Sequence, residues 1–279
     1  MKRFLAIFLT VVTALCVAGC QSPTPQSSAE NVTVPTTATD SATADSATFD
    51  EPRHKKHIAP FGDLSATHPY DYPISSTYFS SRALKNRRFE LETEELLQNP
   101  ELPTGCESVA LTAALRCLHF DLEKTEIAEK YLTYGEDVMW DYVGEPFDYD
   151  GAGIFPPGLT NTANLYLNAQ NSDYVAYNTM GVPFEDLFKL IENGCPVVLW
   201  TTLDFEEPFL VDMAYEYKND YYSWYELEHC VMLCGYDLDE GSVTINDPMQ
   251  GVVTLDLEQM KMIYDGIGRL SMTIKNKKA

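Results

Sequence analysis

Basic residues, histidines and long hydrophobic runs are scarce in this sequence. Its 279 residues include 19 Lys and Arg against 42 Asp and Glu, which gives a formal net charge of −23. Such acidity argues against nucleic-acid binding and against a broad cationic membrane patch. It favours solubility and tolerates or attracts basic peptides, but by itself it specifies no substrate.

The residue spacings that create metal sites are also missing. Neither Cys-x-x-Cys nor His-x-x-x-His occurs in the chain, so we predict no metal site and no cofactor. Beyond residue 20 the cysteines are odd in number, so at least one thiol is free if the others pair. They are Cys106, Cys117, Cys195, Cys230 and Cys234. All but Cys106 are interpreted mainly as small buried apolar residues.

A long, nearly continuous apolar run lies at residues 4–17, after Lys2 and Arg3, and is followed by the small residues of VAGC at 17–20. This run is too short and wrongly flanked for a membrane span, and it is typical of a secretory signal. It resembles a bacterial lipoprotein signal, which implies cleavage before Cys20 and diacylglyceryl attachment to its sulfur. A lipid anchor on the extracytoplasmic face of the cell membrane would follow. The alternative is an ordinary secretory cleavage site that happens to precede a cysteine.

Composition separates the remainder into a tether and a folded part. Residues 21–50 are dominated by Ser, Thr, Ala and Pro and contain no Lys or Arg, which predicts a disordered tether. The predicted organisation is a signal peptide at 1–19, a lipid-anchored tether and linking segment at 20–75, and one domain at 76–279.

The hydrophobic pattern of the domain predicts helices before strands. We expect helices at 107–118, 123–132, 159–169 and 183–193, with a loop at 141–158 between the second and third. Strands are expected at 196–202, 228–236, 243–247, 252–255 and 269–274, with a short helix at 257–264. Helices followed by a mostly antiparallel sheet indicate an α+β fold.

Cys106 is the candidate nucleophile because it opens the first of these helices after a Pro-Thr-Gly turn. The helix N-terminus favours an anion, and the thiolate is the nucleophilic form of cysteine. Thr104 and Glu107 have the spacing of a capping box, which would turn the Glu107 carboxylate back toward Thr104 and away from the thiol. A buried structural cysteine is the alternative.

His229 is the candidate general base because it is the only histidine in a predicted strand of the folded part. Asp247 follows on the next strand and is the candidate orienter of the imidazole, with Asn246 as its competitor on the opposite face. Gln98 is an uncharged side-chain donor near Cys106 and is the candidate oxyanion donor. Purely structural roles for His229 and Asp247 are the alternatives.

Four segments together carry a family resemblance. They read QNPELPTGCE at 98–107, GCPVVLW at 194–200, HCVMLCGYD at 229–237 and VTINDP at 243–248. They resemble the peptidase C39-like domains, papain-fold relatives of the bacteriocin-processing peptidases, over about residues 91–274. The resemblance implies a papain-like fold with Cys106 as nucleophile, His229 as base and acid, Asp247 as orienter and Gln98 as oxyanion donor.

The expected function is therefore that of an exported, membrane-anchored cysteine hydrolase, a C39-like peptidase that cleaves peptide or amide bonds by a Cys-His-Asp mechanism. Peptide or cell-wall-derived substrates are expected. Transporter-fused C39 peptidases cut double-glycine leaders in the cytoplasm, and that role is not implied for a chain with an export signal. The alternative is a catalytically silent papain-like lipoprotein that binds peptide or cell-wall ligands, for which the aromatic-rich segment 215–225 offers a surface.

Overall fold

The computed structural model describes residues 70–278. The predicted signal peptide, Cys20 and most of the predicted tether lie outside the described residues. Within the described part, no helix is long and apolar enough to cross a membrane.

The described residues form short helices and a larger number of strands. The helices are α1 (Ser76–Ser80), α2 (Cys106–Cys117), α3 (Glu126–Lys130), α4 (Pro156–Ala169), α5 (Phe184–Ile191) and α6 (Leu257–Gly266). The strands are β1 (Arg88–Glu90), β2 (Tyr174–Asn178), β3 (Val197–Thr202), β4 (Leu210–Tyr217), β5 (Asp220–Tyr225), β6 (Glu228–Asp237), β7 (Ser242–Asp247), β8 (Gly251–Asp256) and β9 (Ser271–Asn276).

Seven of these strands form one sheet in the order β2-β9-β3-β6-β7-β8, with β1 also paired to β6. Each strand pair in this sheet is antiparallel. Strands β4 and β5 form a separate hairpin that precedes β6 in the chain. The predicted α+β fold with a mostly antiparallel sheet is confirmed.

Both faces of the central strands are covered, and side-chain alternation divides the core between them. On one face, Trp200 of β3 and Cys230 and Met232 of β6 pack in the cluster that contains the buried side of α2. On the other face, Val231 and Leu233 of β6 pack in the cluster that contains α5 and α6. Because β6 is buried on both sides, its sequence is an almost continuous apolar run. Cys106 at the start of α2 and Glu228 at the start of β6 lie close together, with a side-chain ligand atom of each within 4.8 Å of the other.

The structure differs from the predicted elements where tertiary contacts decide local structure. Strand β2 and the β4–β5 hairpin were not predicted as strands, and α3 is shorter than the helix expected at 123–132. Helix α4 begins at Pro156, inside the predicted loop, because proline is well suited to the first turn of a helix. The helix predicted at 107–118 is confirmed, with its start at Cys106.

Candidate active site

Cys106 is the first residue of α2, and the preceding chain is held in a tight turn. The Leu102 N–H donates to the Gln98 carbonyl at 3.0 Å, and the Gly105 N–H donates to the Leu102 carbonyl at 3.0 Å. A Cβ on Gly105 would lie 3.0 Å from the Leu102 Cβ, so the small residue permits this close approach. The Cys106 side chain is buried, with 6% of the residue exposed.

The predicted capping box is wrong. Gly105 occupies the cap position and offers no side chain, while the Thr104 hydroxyl donates to the carbonyls of Glu145 and Asp148 at 3.1 and 2.8 Å. Glu107 turns inward, where its Oε1 accepts the Ile154 N–H at 2.8 Å. Burial of that backbone N–H requires an acceptor, and this tertiary partner outweighs the local cap.

The Glu107 carboxylate therefore faces the thiol, contrary to the sequence expectation. Its Oε2 accepts a hydrogen bond from the Cys106 Sγ at 3.4 Å. Burial is the main cause that raises the pKa of Cys106 well above its usual value, followed by the charges of Glu107 and Glu228. The expected lowering of this pKa by the helix N-terminus is thus outweighed in the free protein.

His229 and Asp247 are both buried and are joined by a contact of 2.7 Å between His229 Nε2 and Asp247 Oδ1. The β6–β7 register pairs Met232 with Asn246, which carries Asp247 toward the start of β6. A proton on Nε2 that is donated to Asp247 leaves Nδ1 with its lone pair available. Asn246 instead donates to the Thr93 hydroxyl and the Glu94 carbonyl at 2.9 and 2.7 Å. Of the two candidate orienters, Asp247 is the one that contacts the imidazole.

Gln98 lines the same cavity as Cys106 and His229, a space of about 300 Å³. Its backbone N–H donates to the Pro248 carbonyl at 2.8 Å, and its side-chain Nε2 donates to the Pro103 carbonyl at 2.8 Å. An amide nitrogen carries two protons, so one N–H of Gln98 remains for a further acceptor. A larger cavity, about 570 Å³, is lined by residues such as Phe79 and Tyr222 and by none of the predicted site residues.

Sequence reasoning did not identify Glu228 as part of this site. Its pKa is raised well above the usual value, mainly by burial and then by the charge of Glu107. Burial likewise raises the pKa of Glu107 to about 7. The sequence does contain a signal for a role of Glu228 in the site. Side chains alternate along β6, so Glu228 lies on the same face as Cys230, which packs toward α2. A lone carboxylate on that apolar face is unusual.

Comparisons with known proteins identify the family of this chain. The profile of the Peptidase_C39 like family matches residues 90–272. A crystal structure from Bacillus anthracis, described as a C39-like peptidase, is 27% identical, with a TM-score of 0.54, over 66% of this chain and 98% of that chain. Xylellain, a cysteine protease from Xylella fastidiosa, is 16% identical, with a TM-score of 0.42, over 82% of this chain and 99% of its own. No curated protein matches the chain significantly.

The described residues thus form a papain-like α+β domain of the cysteine peptidase class. The chain belongs to the Peptidase_C39 like family, since the matched segment covers more than half of it.

The raised pKa of buried Glu107 predicts how the free energy of unfolding changes with pH. Its folded-state pKa of about 7 lies above the ordinary value, so between these values the folded chain binds more protons than the unfolded chain. Stability must then fall as the pH rises through this window. Relative to Glu107→Gln, we expect the wild type to lose on the order of 3 kcal/mol of unfolding free energy between about pH 5 and pH 8.

Urea unfolding of both proteins at the two pH values, with EDTA present, measures this difference. Glu226→Gln changes an exposed carboxyl two residues before Glu228 and serves as the matched control. Identical pH dependence in Glu107→Gln and wild type would contradict the inward, buried placement of this carboxyl.

Proposed function

We propose that this protein is an exported, membrane-anchored C39-like peptidase that cleaves peptide bonds with Cys106 as nucleophile. The observation that carries the proposal is the thiol at the start of α2 in one cavity with an imidazole whose Nε2 lies 2.7 Å from Asp247. A nucleophile, a base and a buried group that orients the base are what acyl transfer by a thiol requires.

In the proposed reaction, the thiol proton passes to His229 Nδ1 as the sulfur attacks the scissile carbonyl. The high pKa that burial imposes on Cys106 favours transfer during attack over a preformed thiolate. The imidazolium then protonates the leaving amine and leaves a thioester on Cys106. Water, deprotonated by His229, hydrolyses the thioester and regenerates the thiol. Asp247 keeps the Nε2 proton in place and stabilises the imidazolium throughout.

The tetrahedral intermediate needs donors for its oxyanion, and two are available in the proposal. One is the second N–H of the Gln98 amide, which its bond to the Pro103 carbonyl holds in orientation. The other is the backbone N–H of Cys106, because the first N–H groups of a helix have no partner within the helix.

The cavity lining supports a neutral or basic peptide as substrate. Glu226 and Glu228 line it, and none of its described lining residues is Lys or Arg. Trp224 lies on the same wall and offers an apolar surface. The proposed substrates are peptides and the peptide parts of cell-wall fragments.

Replacement of Cys106 by Ala should abolish hydrolysis while the domain stays folded. We expect kcat to fall by at least about a thousandfold, because removal of a nucleophile removes the covalent route. Mass spectrometry of peptide and cell-wall-fragment mixtures after incubation measures cleavage. Cys117→Ala, which removes a half-buried thiol at the other end of α2, is the matched control and should keep full activity.

Retained cleavage in Cys106→Ala would contradict the proposed nucleophile. Peptide binding without cleavage by the wild type would support the alternative of a binding protein that uses the same groove.

The membrane anchor is tested by Cys20→Ala in the full chain expressed with its signal. We expect this variant to lose labelling by radioactive fatty acid and to move from the detergent phase to the aqueous phase in a phase-separation assay. Cys16→Ala changes a cysteine inside the predicted signal and should leave both properties unchanged. Unchanged lipid labelling in Cys20→Ala would contradict the anchor.

A further inference from the structure

The nucleophile lies in a cluster with two carboxyl groups that peptide hydrolysis does not require. One ligand atom from each of Cys106, Glu107 and Glu228 lies within 4.8 Å of the other two. Gly153 makes room for this arrangement. The φ angle of Gly153 is +125°, and a Cβ added to this residue would lie 2.4 Å from Glu107 Oε1 and 3.2 Å from Glu228 Oε2.

Three acidic groups in a buried place oppose one another's ionisation. Burial raises the pKa of Cys106, Glu107 and Glu228. The charges of Glu107 and Glu228 raise the pKa of the Cys106 thiol further, and the charge of Glu107 does the same for Glu228. An isolated buried charge is strongly unfavourable unless it is compensated. Among the described residues that line this cavity, His229 is the one basic side chain, so protons or an external cation must supply the rest of the compensation.

A second, independent feature is a pair of buried polar atoms that have no hydrogen-bond partner among the described residues. The hydroxyl of Tyr225 has no hydrogen-bond partner among the described residues, although the side chain is fully buried. Tyr225 lines the same cavity as Cys106 and Glu228. Glu228 Oε1 is likewise buried without a partner. Buried polar atoms are normally satisfied, so these two atoms are available to an ion and its bound water.

We propose that Cys106, Glu107 and Glu228 bind a divalent transition-metal ion, with Zn²⁺ as the best fit, and that the bound ion blocks the nucleophile. Bond lengths of about 2.3 Å to sulfur and about 2.0 Å to oxygen in a tetrahedral site separate the two ligand atoms by about 3.5 Å. The observed separation of Cys106 Sγ and Glu107 Oε2 is 3.4 Å. A thiolate ligand selects Zn²⁺ over Mg²⁺ and Ca²⁺.

Binding requires all three groups to be deprotonated, so protons leave to the solvent as the ion enters, and no redox change occurs. Three protein ligands leave a fourth position for water, on the side of the cavity that Tyr225 also lines. Since the sulfur lone pair then binds the metal, it no longer attacks a carbonyl. The inhibitory consequence rests on the proposed peptidase function, whereas the binding itself does not.

Zinc binding is measured first, without any peptide. Full-length protein is reduced, freed of metal with a chelator and titrated with ZnCl₂ against a chromophoric zinc indicator, with MgCl₂ as the comparison ion. We expect one zinc per chain in the wild type and about tenfold or greater weakening in Glu228→Gln, because a ligand is lost. Glu226→Gln, on the same cavity, should match the wild type.

Alkylation of Cys106 by iodoacetamide, followed by peptide mass spectrometry, shows where the ion lies. Zinc should protect Cys106 in the wild type and in Cys117→Ala, and protect it far less in Glu228→Gln. If Glu228→Gln fails to fold, Glu228→Asp keeps the charge, shortens the reach and carries the same expectation. Co²⁺ loading of the wild type should give a thiolate-to-cobalt absorption band that is absent in Cys106→Ala.

Two results would overturn the proposal. One is the absence of stoichiometric zinc in the wild type, and the other is wild-type affinity in Glu228→Gln, which would place the ion on Cys106 and His229 instead. A chain that binds zinc but cleaves no peptide after a chelator has removed the metal overturns only the proposed peptidase function. A chain that cleaves peptide but binds no zinc overturns only the metal site.

Discussion

The buried carboxylate of Glu107 joins the elements that form the site. It accepts the Ile154 N–H with one oxygen and the Cys106 thiol with the other. The Ile154 carbonyl in turn accepts the indole N–H of Trp200 at 3.2 Å, which ties the loop before α4 to strand β3. Helix α2, that loop and the central sheet therefore meet at one acidic side chain. Gly153 is required beside it, because an added Cβ would collide with the carboxylate.

In this arrangement, two opposing influences act on the ionisation of the Cys106 thiol. Burial and the carboxyl groups of Glu107 and Glu228 favour the protonated form. A protonated His229 would favour the thiolate, and its Nε2 contacts Asp247 Oδ1 at 2.7 Å. In the proposed mechanism, attack by Cys106 therefore depends on proton transfer to His229 at the moment a substrate fills the cavity. A metal ion that pairs with both carboxylates and the thiolate would remove the same conflict in a different way.

Much of this site follows from the sequence, because its main elements have strong local signals. The turn before Cys106 and the apolar run of β6 predict the elements that carry Cys106 and His229. The family motifs then indicate Asp247 and Gln98. The inward direction of the Glu107 side chain does not follow from the sequence, since its hydrogen-bond partner is the backbone N–H of Ile154, far along the chain. The β4–β5 hairpin also escaped prediction, because its aromatic residues have the appearance of a packed cluster without clear alternation. The functional roles of the site residues remain predictions, as do the signal and the lipid anchor.

The most direct measurement is the pH dependence of Cys106 alkylation in the wild type and in His229→Ala, followed by peptide mass spectrometry with EDTA present. If the imidazole is the group that takes the thiol proton, its removal leaves only burial and the carboxyl groups. The midpoint for Cys106 should then rise in His229→Ala, while the midpoint for Cys117 in the same samples stays constant. A Cys106 midpoint that is the same in both proteins would contradict the pairing of this thiol with His229 and, with it, the proposed catalytic role.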